Sequence, residues 1–270
     1  MLILAATPIG NLGDASDRLR KTLESANHIA AEDTRTLKKL AQGLGISLSA
    51  NLISLHEHNE LQKLEFLVDL AKNEDLILVS DAGMPTISDP GFALVRSAAA
   101  AGVEIQIVPG PSAVLSALAL SGLATDRFSF EGFLPRKSSD RKRLFKSLAN
   151  ESRTMIFFES PHRIQATLDD AIEILGLERQ AAISRELTKK FEETKRGTLQ
   201  ELRDWANDLR GEMVLVIAGA EPEVVDQELP ITLVVALLEA GIGLKQATQV
   251  VAKATGASAS ELYSLALKRK

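Results

Sequence analysis

The chain has 270 residues, of which 45% are hydrophobic and 25% are charged, and its formal net charge is −5. This length and composition are typical of a globular protein with room for two α/β units. The absence of cysteine excludes disulfide bonds, thiolate nucleophiles and Cys-ligated zinc, and it favours a reducing compartment. The acidic balance argues against indiscriminate nucleic-acid binding, although a local basic stripe stays compatible with RNA.

The first residues, Met1 to Ala6, are apolar, have no basic region before them and end at Thr7-Pro8. This pattern predicts a first β-strand and argues against a signal peptide. No later apolar run is long enough to span a bilayer. We therefore expect a soluble, cytoplasmic protein that does not contact membranes.

Short aliphatic runs then alternate with helical patterns. The predicted strands are Leu2 to Ala6, His28 to Ala31, Leu52 to Leu55, Leu76 to Ser80 and Ile105 to Val108. Apolar residues between these runs recur at the spacing of amphipathic helices. The alternation predicts an α/β fold whose N-terminal domain, residues 1–121, is a parallel Rossmann-like sheet covered by helices.

A second series of strands and helices follows Gly122. The predicted strands are Phe128 to Phe130, Met155 to Phe158, Ala181 to Ser184 and Met213 to Ile217, with helices near Ile164 to Leu175 and Leu199 to Leu209. We expect a second, mixed α/β domain over residues 122–222. The acidic, proline-bounded stretch 221–230 predicts a linker, and three short amphipathic patterns predict a small helical domain over residues 230–270.

Three turns that follow predicted strands have the composition of ligand-binding loops. Thr7 to Asp14 could face an anion or a nucleotide, but GxGxxG is absent and a plain strand-to-helix turn is the alternative. In Ser80 to Gly91, Asp81 could accept hydrogen bonds from a ligand, whereas Asp89 before Pro90 is typical of a helix cap. Ser112 suits a cap and a ligand contact equally well.

Polar residues cluster where three other predicted strands end. The segments are Ala31 to Arg35, His56 to Glu60 and Arg185 to Lys190. The carboxyl ends of parallel strands are the usual place for chemistry in such sheets. His56 and His58 would point to opposite sides of an extended segment, so a shared metal site is not expected, and we expect no metal elsewhere.

One stretch is strongly basic in this acidic chain. Pro135 to Lys146 contains six basic residues and one acid, and it is the best candidate for phosphate contacts. An ordinary charged helix N-terminal region is the alternative. The tail Lys268-Arg269-Lys270 adds a weaker basic patch.

Several of these motifs occur together in a known family. Thr-Pro-Ile-Gly-Asn-Leu-Gly-Asp at 7–14, Ala-Glu-Asp-Thr-Arg at 31–35 and His-Glu-His-Asn-Glu at 56–60 resemble the ribosomal RNA small-subunit methyltransferase I family, of the tetrapyrrole-methylase-like superfamily. The resemblance continues through residues 80–91, 109–113, 132–137, 158–163, 185–189, 196–199 and 211–215. It covers nearly the whole chain.

The resemblance implies methylation of the 2′-hydroxyl of a cytidine in the decoding region of 16S ribosomal RNA, within the small subunit. It also implies that S-adenosylmethionine binds between the two α/β domains and that the chain forms a homodimer. The implied cofactor contacts are Pro8, Asp81, Ala82, Gly83, Ile87, Ser112, Ala113, Glu159, Ser184 and Met213.

Deprotonation of the ribose hydroxyl calls for a base. The candidate catalytic residues are Glu32, Asp33, Arg35, His56 and Glu186, of which Arg35 would hold a phosphate. The candidate RNA contacts are Arg136, Lys137, Arg141, Lys142, Arg143, Arg163 and Arg185. The alternatives are a small-molecule methylase of tetrapyrrole type and a non-catalytic ribosome-binding protein.

Overall fold

The computed structural model describes residues 1–221 and 228–268. The chain separates into two compact units, Met1–Ala220 and Glu221–Lys270. Both sheets belong to the first unit, and the second unit is helical. The predicted fold class is therefore confirmed, while the proposed boundary between domains 1–121 and 122–222 stays a prediction.

The first sheet is parallel and is built as the alternation predicts. Its strands are β1 (Leu2–Ala5), β2 (His28–Ala31), β3 (Asn51–Ser54), β4 (Leu76–Val79) and β5 (Ile105–Val108). Its helices are α1 (Asp17–Ser25), α2 (Thr34–Leu44), α3 (Glu60–Asn73), α4 (Phe92–Ala100) and α5 (Ala113–Ser121). The strand order is β3-β2-β4-β1-β5. Because parallel strands end at one edge, the loops after β1, β2 and β4 are neighbours.

The core of this sheet explains why β4 is apolar throughout. Successive side chains of a strand point to opposite faces, so a strand covered on both faces needs no polar side. Leu76 and Leu78 belong to one buried cluster, and Ile77 and Val79 belong to another. Burial on both sides holds the carboxyl end of β4, and the loop that follows it, in place.

The second sheet is mixed. Its strands are β6 (Phe128–Phe133), β7 (Thr154–Glu159), β8 (Gln180–Arg185), β9 (Glu193–Thr198) and β10 (Met213–Ile217). Its helices are α6 (Ser138–Ser147), α7 (Ile164–Leu175) and α8 (Leu199–Trp205). The order is β6-β7-β10-β8-β9, and β6 pairs parallel with β7 while the other pairs are antiparallel. Strand β9 is missing from the predicted elements because its residues are polar and lie at the edge.

Helix α5 connects the two sheets. Its buried residues Val114, Ala117 and Leu118 form one cluster with Ile156 of β7 and Val216 of β10. The chain thus leaves the first sheet, packs α5 onto the second and keeps both within one unit. This packing places the loops of the first sheet beside β7 and β10.

The C-terminal unit consists of α9 (Glu228–Glu239), α10 (Leu244–Thr255) and α11 (Ala259–Lys268), packed around a small apolar core. Most of the predicted linker, residues 222–227, and the tail residues 269–270 lie outside the described residues. Residues 228–230 of that linker belong to α9. Within the described parts of the chain, every helix is too short or too polar for a bilayer crossing.

Candidate functional site

A cavity of about 260 Å³ lies in the first unit between the loops of the first sheet and the strands of the second. Its walls come from the turn after β1, the loop over residues 80–91, the start of α5, and β6, β7 and β10. Met84, Ile87, Val114 and Phe158 give it an apolar lining. Polar groups enter from both sheets, which is the usual composition of a small-molecule site.

Most of the predicted cofactor residues meet at this cavity. Those that line it are Ala82, Gly83, Ile87, Ser112, Ala113, Glu159 and Met213. The other three are absent from its walls. Pro8 is buried behind the turn, the Ser184 hydroxyl is buried and bonded to Thr194 Oγ1 at 2.9 Å, and Asp81 faces the end of β2.

The loop over residues 80–91 has a backbone that few sequences adopt. Thr86 (φ 76°) and Ser88 (φ 64°) have left-handed conformations that are costly for non-glycine residues. At Gly91 (φ 116°) a Cβ would also lie 2.6 Å from Leu78 Cδ2. Gly83 pairs with Thr7 through two backbone hydrogen bonds of 2.9 and 3.1 Å. The loop is thereby tied to the end of β1.

Ser112 begins α5 as the sequence predicts. Its Oγ accepts a hydrogen bond of 3.4 Å from the Leu115 backbone N–H, so it is the N-cap of the helix. The same residue lines the cavity, so the cap and the predicted ligand position coincide.

Four carboxyl groups gather near the ends of β2 and β4. The backbone N–H of Asp33 donates to Asp81 Oδ1 at 3.1 Å, and the backbone N–H of Asp81 donates to Glu32 Oε2 at 3.3 Å. Burial raises the pKa of both Glu32 and Asp81 above the ordinary range. The fourth carboxyl group is that of Asp89, which lines the cavity.

Asp33 differs from the other three carboxyl groups because it forms an ion pair with Arg35. Arg35 donates from Nη2 to Asp33 Oδ2 at 2.7 Å, and this contact lowers the pKa of Asp33 to about 2. Asp33 also accepts from the Arg35 backbone N–H at 2.8 Å and caps α2. The Arg35 side chain is otherwise exposed, so the fork it presents is accessible to an anion.

Asp89 is not the helix cap that the sequence predicts. Helix α4 begins after Gly91, whose amide and that of Leu94 donate to Glu60 Oε1 at 3.2 and 3.1 Å. Glu60 on α3 thus performs the capping, a long-range contact that Pro90 does not reveal. Burial, followed by the nearby charge of Glu32, raises the pKa of Asp89 to about 6.

Glu159 ends β7 and is buried against the cavity. Its Oε1 accepts from the Ser160 backbone N–H and its Oε2 from Thr167 Oγ1, both at 2.7 Å. Arg163 forms an ion pair with the same carboxylate and donates to the Leu134 carbonyl at 3.2 Å. The predicted phosphate ligand Arg163 therefore has partners within the protein.

The segment Arg185 to Lys190 is also internally paired. Lys189 Nζ lies 3.1 Å from Glu186 Oε1 and 2.9 Å from Glu212 Oε2, and Arg185 Nε donates to Glu193 Oε2 at 2.7 Å. Glu212 lines the cavity, while Glu186 and Arg185 do not. The predicted base Glu186 is thus a partner of Lys189.

His56 and His58 lie side by side. The chain turns after Leu55, and the two ring centroids are 6.0 Å apart. The expectation that they point to opposite sides was wrong, because residues two positions apart lie on the same face even of an extended segment. His56 Nε2 is 3.0 Å from Asn59 Nδ2, and its exposed ring does not line the cavity. Within residues 1–221 and 228–268, no group of three or more His, Cys, Asp or Glu could hold a metal.

The basic stretch is more divided than its sequence indicates. Arg141 is buried, pairing with Asp170 through Nε at 2.7 Å and through Nη2 at 2.5 Å, so its predicted contact with phosphate conflicts with its position. Helix periodicity turns this residue inward toward α7. Lys142 pairs with Glu173. Exposed members are Arg136, Lys137, Arg143 and Lys146.

Two aromatic residues of the site were absent from the predicted residues. Phe133 and Phe158 both line the cavity, with ring centroids 5.3 Å apart, and 62% of Phe133 is exposed. The Gly-Phe-Leu-Pro-Arg-Lys motif at 132–137 was the available signal. A phenylalanine in a strand is ordinarily a core residue, and the sequence does not reveal that Phe133 is exposed.

The family model of Tetrapyrrole (Corrin/Porphyrin) Methylases matches residues 1–203. Among solved structures, the methyltransferase CobJ is 20% identical with a TM-score of 0.60, over 81% of this chain and 94% of its own. Uroporphyrin-III C-methyl transferase from Thermus thermophilus, complexed with S-adenyl homocysteine, is 16% identical with a TM-score of 0.54, over 80% and 96%. At these identities the likeness shows the fold.

Curated relatives named ribosomal RNA small subunit methyltransferase I match over the full length. The Mycobacterium tuberculosis H37Rv protein is 46% identical, over 100% of this chain and 95% of its own. The Escherichia coli O157:H7 protein is 41% identical over the same shares, and the Synechocystis protein is 44% identical over 99% and 98%. By this full-length similarity and the methylase fold, the chain belongs to the ribosomal RNA small subunit methyltransferase I family, within the tetrapyrrole methylases.

Proposed function

We propose that this chain transfers the methyl group of S-adenosylmethionine to the ribose 2′-hydroxyl of a cytidine in the decoding region of 16S ribosomal RNA. The observation that carries the proposal is the cavity, which combines an apolar lining, carboxylates and an exposed aromatic rim. The full-length similarity to curated ribosomal RNA methyltransferases supports the choice of substrate.

The residues of the cavity fit the methyl donor. Met84, Ile87 and Val114 offer apolar contact to an adenine ring and a thioether, and Ser112 offers a hydroxyl. The volume of about 260 Å³ is near the lower end of ordinary ligand sites. When bound, S-adenosylmethionine would supply a methyl carbon activated by a positively charged sulfur.

The rim of the cavity suits a nucleotide drawn out of its stack. Phe133 is exposed beside the cavity, and the exposed Arg136 and Lys137 follow it three and four residues later. Unstacked nucleotides of RNA are held by stacking on aromatic side chains and by basic contacts to phosphates. Exposed Arg35 on the opposite sheet could contact a flanking phosphate.

The main task of the chain's own residues is to align the two reactants, because the methyl donor is already activated. Walls contributed by both sheets would hold the methyl donor and the ribose in fixed positions relative to each other. The remaining chemical task is removal of the hydroxyl proton. Among the predicted bases, Glu32 belongs to the acidic group at the ends of β2 and β4. Asp33 belongs to the same group, but its pairing with Arg35 lowers its pKa to about 2 and makes it a weak base. His56 and Glu186 are supported only by their motifs.

The proposed setting rests on the substrate in the relatives' name and on what the resemblance of the motifs implies. We infer that the substrate is presented within the small ribosomal subunit in the cytoplasm, and that the chain acts as a homodimer. The net charge of −5 fits a protein that recognises an assembled particle at a few basic points and binds RNA weakly in general.

Incubation with labelled S-adenosylmethionine tests the function. We expect transfer to small subunits that lack the modification, weaker transfer to free 16S RNA, and none to a precorrin mixture. Nuclease digestion and mass spectrometry of the product should give 2′-O-methylcytidine. Label in the precorrin fraction, or on a base in place of the ribose, would contradict the proposal.

A further inference from the structure

Three carboxylates line the cavity among the residues that the structure describes: Asp89, Glu159 and Glu212. Two of them have a cation beside them. Glu159 is paired with Arg163 and accepts two further hydrogen bonds, and Glu212 is exposed and paired with Lys189. Asp89 makes no ion pair within the described parts of the chain. Of the three carboxylates, Asp89 is therefore the one whose negative charge is not neutralised by a neighbouring cation, so it is the best placed to accept a proton.

The position of Asp89 is enforced by its loop. Ser88, the residue before it, has a left-handed backbone at φ 64°, and Gly91 follows at φ 116°. Glu60 holds the far end by accepting from the Gly91 and Leu94 amides. Strained backbone persists only where the surroundings impose it, and such strain concentrates at active sites. The strained backbone of the loop thus holds this carboxylate at the cavity.

The surroundings of Asp89 are on balance unfavourable to its negative charge. The side chain is half-buried, and the carboxylates of Glu32 after β2 and Asp81 after β4 face it. A hydrogen bond from Ser80 offsets part of this effect, and the first amides of α4 are already bonded to Glu60. The pKa of Asp89 is accordingly raised to about 6, which makes it a stronger base that is still ionised at neutral pH.

We propose that Asp89 is the catalytic residue that removes the proton of the ribose 2′-hydroxyl, an inference that rests on the proposed function. The hydroxyl proton passes to a carboxylate oxygen of Asp89 while the ribose oxygen forms a bond to the methyl carbon. The sulfur–carbon bond breaks, and its electron pair stays on sulfur, which becomes neutral S-adenosylhomocysteine. Protonated Asp89 then releases its proton to water.

Asp89→Asn tests the inference, with Asp69→Asn on the exposed face of α3 as the matched control. Binding of S-adenosylmethionine and of small subunits is measured first, by calorimetry and by filter retention. The single-turnover rate with both ligands saturating, and kcat/KM, are then followed from about pH 5 to about pH 9. A carboxyl-carbon NMR titration of the free protein gives a readout independent of activity.

We expect Asp89→Asn to bind both ligands within about twofold of the wild type and to lose about 10²-fold or more of the single-turnover rate. The wild type and Asp69→Asn should share a kcat/KM that falls as pH drops through about 6, and this dependence should be absent in Asp89→Asn. A carboxyl group that titrates near pH 6 should disappear from the spectrum of Asp89→Asn alone.

A rate within threefold of the wild type, or a preserved acidic limb, would overturn the assignment. So would loss of S-adenosylmethionine binding in Asp89→Asn, because Asp89 would then be a binding residue. These results differ from failure of the proposed function, in which the wild type itself produces no 2′-O-methylcytidine.

Discussion

Two aspartates at the same edge of the first sheet show how far surroundings change one side chain. Asp33 holds a guanidinium, which lowers its pKa to about 2, whereas burial raises the pKa of Asp89 to about 6. The opposite pKa shifts suit the two carboxyl groups to different roles. Asp33 stays ionised and orients Arg35, while Asp89 can exchange a proton near neutral pH.

Asp89→Asn should stabilise the protein at neutral pH. An acid whose pKa is raised on folding binds its proton more tightly in the folded state, so ionisation destabilises that state as pH rises from about 4 to about 6. Two pKa units correspond to about 3 kcal/mol, and partial exposure of the side chain to solvent reduces this to about 1 kcal/mol.

Urea unfolding at several pH values measures this effect. The gain of Asp89→Asn over the wild type should be near zero at about pH 4 and complete above about pH 7. A variant that is less stable than the wild type at neutral pH would show that the Asp89 carboxylate is not strained by its surroundings.

At the scale of elements, the pairing of α6 with α7 decides which basic residues can meet RNA. The Arg141 side chain lies between the two helices, where Asp170 accepts from its Nε and from Nη2. Asp170 also accepts from Ser138 Oγ at 2.8 Å. The basic stretch is therefore not a continuous surface. Arg141 is buried in an ion pair, and the exposed basic residues lie around it.

Arg141→Ala should destabilise the protein by about 3 kcal/mol, because it leaves the Asp170 carboxylate buried without its main partner. The double variant Arg141→Met with Asp170→Leu should recover most of this loss, since it removes both charges and keeps the volume. Denaturant midpoints of the two variants and the wild type provide the comparison. Equal losses in the single and double variants would argue against a buried ion pair.

At the scale of the whole molecule, the surface that we propose for RNA is a small basic area on an acidic protein. Arg136 and Lys137 are exposed and follow Phe133 at the cavity. Contacts of this kind release counterions, so they should appear in the salt dependence of binding more than in the affinity at a single salt concentration.

The double variant Arg136→Ala with Lys137→Ala should reduce the slope of log K against log salt by about 1.5, since each lost phosphate contact removes about 0.7 to 0.9. Lys21→Ala on the exposed face of α1 is the control and should leave the slope unchanged. Filter binding to small subunits over a salt series measures both slopes. An unaltered slope in the double variant would remove this surface from the interface.

The alternation of strands and helices, and the polar composition of the loops, can be predicted from the amino-acid pattern alone. Strands with buried faces, such as β4, carry their own signal because the pattern of apolar residues reflects burial. Strand β9 carries no such signal, since a polar edge strand resembles a loop. The motifs also sufficed for the family, because many of them occur in order along the whole chain.

Which polar residues face the cavity depends on contacts that form only in the folded protein. Asp81 and Asp89 belong to the same loop, and neither composition nor spacing tells which one turns toward a ligand. The answer depends on Glu60, which caps α4 from another helix and frees Asp89 from that role. Long-range hydrogen bonds and burial set a side chain's direction and its pKa, and both arise from contacts between residues far apart in the chain.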